Sequence, residues 1–270
     1  MSASDLAFVG SVPEIYQRCL VPLLFAPYAE DMARRAAAGR CERVLETAAG
    51  TGVLTRALAP RLPPGARLTV TDLNPPMLER ARSLQPPGPA IAWQEADAAA
   101  LPFADASFDT VLCQFGMMFL PDRVRGMAEA RRVLQPGGRF LFSVWDALDA
   151  NLFAAEVDAA IAAQLPADPP RFFARTPHGY HDRARIEADV RAGGFAEVAI
   201  ETVELVSRAA TADDVAMAYC QGTPMRGEIE ARAPGGLGRI TEAVARAVAA
   251  RWPERPLAAP MRAHVVTARG

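Results

Sequence analysis

The sequence predicts an α/β fold: a seven-stranded, mostly parallel sheet with helices on both faces and a helical cap. Two observations carry this expectation. Strand-like and helix-like segments alternate along most of the chain, and the strand-like segments are short, continuous apolar runs, as expected of strands buried on both faces. With 270 residues and 51% apolar composition, the chain can build a sizeable core without disulfides or metal ions.

In chain order, residues 11–39 read as helical, interrupted by Pro22 and Pro27, with Leu20, Leu23, Leu24 and Tyr28 at helical spacing. Arg43–Glu46 is the first strand, and it runs into a small-residue stretch, 47–52. Residues 53–62 have helical periodicity and stop at Pro63-Pro64-Gly65. Residues 67–71 form the second strand, ending at Asp72. A helix follows over Pro75–Leu84, with prolines at its start, where a missing N–H costs little. The turn 86–89 leads to a third strand at 90–94. The fourth strand is Phe108–Gln114, followed by a helix over 122–134 that ends at Gln135-Pro136-Gly137-Gly138, and a fifth strand at 139–144.

Beyond Trp145 the texture changes. Residues 147–181 are rich in Ala and Pro, with one helical patch at Leu152–Gln164, and are too long for an ordinary connection. A helix at 182–192 ends at Gly193-Gly194, and 198–206 is a sixth strand. A second irregular stretch with helices at 212–220 and 238–250 precedes a last strand at 263–268. The chain 1–270 is therefore expected to be a single domain. Its core covers about 40–145, 182–206 and 262–269, with an N-terminal helical segment at 11–39 and cap insertions at about 147–181 and 207–260.

Composition narrows the function classes. A net charge of −2 and a pI near 6.0 give no basic face for nucleic acid. The four cysteines, Cys19, Cys41, Cys113 and Cys220, are widely spaced and show no metal-ligand pattern, so no metal is expected. No apolar run approaches the ~20 residues that span a bilayer, and the first residues lack a basic segment followed by an apolar run. The expectation is a cytoplasmic protein with no nucleic-acid partner and no membrane span.

The chemistry is concentrated in Val44-Leu45-Glu46-Thr47-Ala48-Ala49-Gly50-Thr51-Gly52, between the first strand and the next helix. Small residues there let the backbone approach a ligand, and the helix start adds partial positive charge. Asp72 ends the next strand, where an acid can accept both hydroxyls of a ribose. The spacing Glu46-x-Ala48-x-Gly50-x-Gly52 differs from the G-x-G-x-x-G of nicotinamide oxidoreductases, which disfavours that class.

Here the sequence resembles the class I S-adenosylmethionine-dependent methyltransferases, particularly the ubiquinone-biosynthesis-like, type 11 group. Their acid-x-Gly-x-Gly-x-Gly motif is matched by Glu46, Ala48, Gly50 and Gly52, with alanine replacing the first glycine. The resemblance continues through Asp72-Leu73-Asn74, Glu95-Ala96-Asp97-Ala98 with Leu101-Pro102-Phe103, Phe108-Asp109-Thr110-Val111 leading to Gln114-Phe115, and 132–138, and covers roughly residues 40–145. It implies a Rossmann-like fold, S-adenosyl-L-methionine as cofactor and S-adenosyl-L-homocysteine as product.

The resemblance also implies roles. Glu46 holds the amino group of the methionine part, and Ala48, Gly50 and Gly52 shape the floor beneath the ligand. Asp72 takes the ribose hydroxyls, with Leu73 and Met77 against the adenine. Asp97 accepts from the exocyclic amine and Ala98 offers a backbone N–H. Gln114 contacts the cofactor and faces the transferred methyl, and Tyr16 reaches the methionine end. Structural alternatives stand beside these: Asp97 as a turn cap, Met77 as core, and Gln114 as a strand end.

The implied partner is a small, partly hydrophobic methyl acceptor, with methylation at oxygen or carbon favoured; the alternative is a cofactor-binding protein without methyl transfer. Gln114-Phe115-Gly116-Met117-Met118 stands where amide- and adenine-directed methyltransferases carry an Asn-Pro-Pro-Tyr-like motif, which argues against those acceptors. Phe25, Phe153, Phe172, Phe173, Tyr180 and Tyr219 in the extra segments offer either an apolar acceptor pocket or plain cap core. A hydroxyl or carbon acceptor benefits from a general base. Of three histidines, His264 lies on the last strand and reads as structural. His178 and His181 are the candidate bases, against the alternative of a solvated loop with His181 preceding a helix cap at Asp182.

Overall fold

The computed structural model describes residues 12–88 and 90–270. Ser11 of the N-terminal helical segment, Pro89 of the turn and the first ten residues lie outside it. The strands are β1 (Arg43–Glu46), β2 (Arg67–Asp72), β3 (Ile91–Glu95), β4 (Phe108–Gln114), β5 (Leu134–Trp145), β6 (Glu197–Ala209) and β7 (Leu257–Arg269). They form one seven-stranded sheet in the order β3-β2-β1-β4-β5-β7-β6. The pairs β1–β2, β1–β4, β2–β3 and β4–β5 are parallel, and β5–β7 is antiparallel. The predicted mostly parallel sheet is thus present. Successive crossovers run outward from β1 in one direction to β3 and then return to β4 on its other side. That reversal puts the carboxyl ends of β1 and β4 at the topological switch point, where open α/β sheets leave a crevice.

The chain divides into two compact units. The sheet unit comprises Pro27–Trp145, Tyr180–Val203 and Ala263–Gly270. Its helices are α2 (Ala26–Ala37), α3 (Val53–Leu58), α4 (Pro75–Leu84), α5 (Arg123–Val133) and α8 (Arg183–Ala192). β1 and β4 form because their apolar residues are buried nearly end to end, and Val44, Leu68, Leu112 and Leu141 join Met32, Leu54 and Leu58 in one core cluster. Helix starts are capped by side chains: Asp122 accepts from Arg125 N at 2.9 Å, and Asp182 accepts from Ala184 N at 2.8 Å. His181 therefore does precede a helix cap.

The second unit comprises the described residues through Ala26, Asp146–Gly179 and Glu204–Arg262. It contains α1 (Val12–Ile15), a π-helical segment Tyr16–Phe25, α6 (Leu152–Gln164), α7 (Phe172–Arg175), α9 (Ala212–Gln221), α10 (Met225–Arg232) and α11 (Leu237–Arg251). Helix α9 packs on α11 and on the π-helical segment, and begins with a capping box between Thr211 and Asp214.

Several elements differ from the sequence expectation. The N-terminal helix is not interrupted at Pro22 or Pro27, because helical structure runs without a break from Val12 to Ala37. In the π register the N–H of Ala26 reaches back to Val21 O, so the wider turn accommodates Pro22, whose ring would clash in an α-helix. Residues 135–138 do not separate a helix from a strand. They belong to β5 and bulge between the pairs Phe108↔Leu134 and Thr110↔Arg139. Strands β6 and β7 are longer than the runs that predicted them, each continuing into the second unit. Helices α7 and α10 lie in stretches read as irregular.

Candidate functional site

Three strand ends and the loops that follow them build the site in the sheet unit. The loop after β1 is pinned on both sides. Thr47 N donates to Leu112 O of β4 at 2.9 Å, and Ala49 N donates to Thr71 O of β2 at 3.0 Å. The backbone turns through left-handed conformations at Ala48 (φ 50°), between these anchors, and just beyond them at Gly50 (φ 56°) and Gly52 (φ 75°). At Gly52 glycine is required twice over, since a Cβ there would also lie 2.9 Å from Ala81 Cβ of α4. Ala48 adopts its conformation with a Cβ in place, a local strain of the kind that clusters at ligand sites.

Glu46, the last residue of β1, is 1% exposed. Its Oε2 accepts from Thr55 Oγ1 at 2.6 Å. Burial pushes its carboxyl up to about 7, opposed by the Thr55 hydroxyl and the charge of Arg56. Asp72, the last residue of β2, is built differently. Its Oδ2 accepts from Gly50 N and its Oδ1 from Asn74 N, both at 2.8 Å. Burial raises its pKa too, with these backbone donors acting against the rise. One carboxylate thus ties the glycine loop to the loop after β2 while keeping lone pairs available for further donors.

The loop after β4 completes the arrangement. Phe115 has φ 54°, and its N–H donates to Ser143 O at 3.1 Å. A Cβ on Gly116 would stand 2.5 Å from Ala48 Cβ and 2.6 Å from Cys113 Sγ, so the loops after β1 and β4 touch. The Phe115 ring stacks on Trp145 at 3.9 Å, and Tyr28 meets both rings edge-on at 5.3 and 5.4 Å. Tyr28 donates its hydroxyl to Val203 O at 3.0 Å.

The structure brings Glu46, Ala48, Gly50, Gly52, Asp72 and Gln114 to the carboxyl ends of β1, β2 and β4. Leu73, directly after Asp72, is 47% exposed, an unusual state for a large apolar side chain beside a buried acid. Met77 is buried in α4. Asp97 is exposed, and its Oδ1 accepts from Ala99 N at 2.8 Å, the geometry of a turn cap. Ala98 is half-buried beside it, and Gln114 is half-buried at the end of β4.

Tyr16 belongs to the second unit, where it stacks on Phe25 at 5.1 Å. His178, also in the second unit, is buried, so the solvated-loop reading fails for it. Its Nδ1 lies 2.8 Å from Asp146 O. A carbonyl only accepts, so Nδ1 carries the proton and Nε2 is the basic nitrogen of the ring. His181 is exposed in the sheet unit, and its carbonyl accepts from His264 Nε2 at 3.0 Å. His264 is buried and also bonds Thr202 through Nδ1 at 3.0 Å, a structural role.

Sequence reasoning missed Thr55 and the Tyr28–Phe115–Trp145 group. The signal for Phe115 and Trp145 was present: each is an aromatic residue at the carboxyl end of one of two neighbouring strands. Tyr28 gave no such signal, because helical spacing alone marks it only as buried.

A family described as "Methyltransferase domain" matches residues 45–142. This stretch of the chain is a methyltransferase domain. The chain is 40% identical over 130 residues to the demethylmenaquinone methyltransferase of Deinococcus radiodurans, a match over 45% of this chain and 53% of that one. It is 40% identical over 124 residues to an uncharacterized protein of Mycobacterium tuberculosis, covering 45% of this chain and 44% of that one. The chain thus spans about half the length of the curated relatives it matches. Among solved structures, YcgJ of Bacillus subtilis superposes with a TM-score of 0.57 at 19% identity, covering 90% of this chain and 99% of that one. Phosphoethanolamine N-methyltransferase 2 of Haemonchus contortus, solved with S-adenosyl-L-methionine, gives 0.61 at 15% identity over 100% of this chain and 60% of that one. At such identities these two likenesses concern the methyltransferase fold alone. Among the described residues, no helix is long and apolar enough to cross a membrane.

Proposed function

We propose that this methyltransferase binds S-adenosyl-L-methionine at the carboxyl ends of β1, β2 and β4 and methylates a small, partly hydrophobic acceptor at oxygen or carbon. One observation carries the reading: the buried acids Glu46 and Asp72 flank a glycine loop whose Gly50 N–H is bonded to Asp72. The residues present fit the cofactor. A buried carboxyl such as Glu46 favours a cationic partner, as an α-ammonium would be, and the exposed Leu73 beside Asp72 offers apolar surface to a base. The cofactor supplies an already activated methyl group. What the protein adds is orientation and exclusion of water.

In this reading Asp72 accepts the ribose hydroxyls, Asp97 and Ala98 bind the adenine edge, and Gln114 with Met77 completes the contact surface. Tyr16 is a further cofactor contact in this reading. Of the two candidate bases, His178 has its proton fixed on Nδ1 by the Asp146 carbonyl, which leaves Nε2 as the nitrogen that would accept a proton from an acceptor hydroxyl; His181 is the other candidate. The two demethylmenaquinone methyltransferases among the relatives support an oxygenated aromatic ring as acceptor. The deciding experiment incubates the protein with S-adenosyl-L-methionine and a panel of phenols, quinols and amines, and follows S-adenosyl-L-homocysteine and methylated product. Turnover on phenols or quinols is expected. Tight cofactor binding with no turnover on any panel member would replace the proposal with a binding protein.

A further inference from the structure

The loop after β3 carries Asp97 and Ala98, and side chains of α5 hold that loop. Arg125, Glu129 and Arg132 stand four and three residues apart, so they share one face of the helix. Arg125 donates its Nε–H to Ala99 O at 2.8 Å. Glu129 Oε2 accepts from Leu101 N at 2.7 Å. Arg132 donates to Leu101 O at 2.9 Å and to Phe103 O at 2.7 Å. The same guanidinium donates to both oxygens of Glu129, at 2.7 and 2.8 Å, and to Asp105 Oδ1 at 2.8 Å. All of its N–H groups are therefore engaged.

Leu101 is not in a strand, yet the Glu129–Arg132 pair gives it one acceptor and one donor, as a neighbouring strand would. The other end of the loop is fixed from β2, where Ala96 N donates to Asp72 O at 3.1 Å. Asp97 and Ala98 stand between the two attachments, in a turn closed by Ala100 N on Asp97 O at 2.9 Å. Asp97 itself is exposed, and its Oδ1 is oriented by Ala99 N at 2.8 Å. An ion pair at the surface contributes little to stability alone. Here the backbone groups of one short loop, from Ala99 to Phe103, are bonded to a single helix face, and the result is placement of that loop. A braced loop meets a flat base without having to be ordered on binding.

We propose that Arg132 is a positioning residue for base selection: with Glu129 and Arg125 it holds the loop 97–103 so that Asp97 and Ala98 meet the edge of the adenine. The proposal rests on the donor-site reading above, and every residue it uses belongs to the sheet unit.

The test titrates two probes into the full chain by calorimetry: S-adenosyl-L-homocysteine, and S-inosyl-L-homocysteine, which carries an oxygen in place of the exocyclic amine. A hydrogen bond from the amine to a carboxylate makes the wild type prefer the adenosyl probe by about tenfold or more. Asp97→Ala abolishes the preference. Arg132→Met lowers it by roughly threefold or more, because an unbraced loop must be ordered on binding. Arg132→Lys keeps the charge but loses the planar fork, and behaves like Arg132→Met. Should Arg132→Met not fold, Arg125→Met, which removes only the bond to Ala99 O, lowers the preference in the same direction. Amide exchange without ligand reports the loop directly: the amides of Ala99, Ala100 and Leu101 exchange faster in Arg132→Met, while those of β1 and β4 do not change. Equal weakening of both probes in Arg132→Met with the preference intact, full recovery of the preference by Arg132→Lys, or unchanged exchange in the loop overturns the proposal. A wild type that binds both probes equally removes Asp97 from the adenine site, and the proposal with it. Absence of binding of either probe to the wild type overturns the donor-site reading instead, and the exchange rates then still decide whether Arg132 holds the loop.

Discussion

Glu46 and Asp72 end neighbouring strands, yet their surroundings assign them different tasks. Asp72 accepts from two backbone N–H groups at 2.8 Å, so it organises two loops before any ligand arrives. Replacing it removes this scaffold and, in the proposed mode of binding, the acceptor for ribose hydroxyls. Hydrogen bonds to a charged group contribute roughly 1.5–3 kcal/mol each, so Asp72→Ala should weaken S-adenosyl-L-homocysteine binding tenfold or more by calorimetry. Unchanged affinity would remove Asp72 from the site. Glu46 has one hydroxyl donor, from Thr55, and a carboxyl raised to about 7. An ammonium is held by the ionised form, so affinity should climb between pH 6 and 8 in the wild type and stay flat in Glu46→Gln. A wild-type profile as flat as the variant's would show that Glu46 does not contact the ligand. Glu46, Gly50, Gly52 and Asp72 were legible in the sequence because their chemistry depends on spacing along one loop and one strand. Thr55 was not, since a threonine in a helix carries no mark of the carboxyl it faces.

At the level of elements, the two loops that meet beneath the site are matched in size. Ala48 keeps a Cβ where the family motif has glycine, and Gly116, from the loop after β4, lacks one at the point of contact. Gly116→Ala would force a methyl group to within 2.5 Å of Ala48 Cβ and 2.6 Å of Cys113 Sγ. Overpacking of this kind costs about 1–3 kcal/mol. Ala48→Gly relieves one of the two clashes and the left-handed strain at that residue, so the double variant should melt between Gly116→Ala and the wild type. Additive effects of the two changes would show that the loops do not press on each other. The alanine in the motif was visible in the sequence, but its counterpart was not, because pairing between loops about seventy residues apart leaves no periodic signal. The same limit applies to strands and helices. Apolar runs located β1, β2 and β4, whereas β6 has exposed residues along much of its length and was underestimated. Helical spacing revealed the N-terminal helix, but the change to π register depends on backbone bonding that side-chain pattern does not report.

For the molecule as a whole, the family match at 45–142 falls entirely within the sheet unit, and the segments of the second unit carry no comparable motif. The donor side of the chemistry was therefore readable, whereas the segments of the second unit gave no signal for the acceptor. Global stability carries the imprint of the donor site as well. Glu46 titrates near 7 in the folded protein and near 4.5 as an ordinary glutamate. Below the lower value it is protonated in both states and exacts no penalty. As pH rises between the two values the unfolded chain releases a proton that the folded chain retains, so stability falls, by roughly 1.4 kcal/mol per pH unit and roughly 3 kcal/mol in total, and levels off above pH 7. Other groups titrate over the same interval, so the quantity to follow is the difference in urea unfolding free energy between the wild type and Glu46→Gln at pH 5 and pH 8. Relative to the variant, the wild type should lose stability across this interval. Saturating S-adenosyl-L-homocysteine at pH 8 should return part of the loss, because its ammonium group stabilises the ionised carboxylate in the folded state alone. A wild-type-to-variant difference that is the same at both pH values would show that Glu46 is solvated or paired in solution, and would undercut its place as the buried acid of the site.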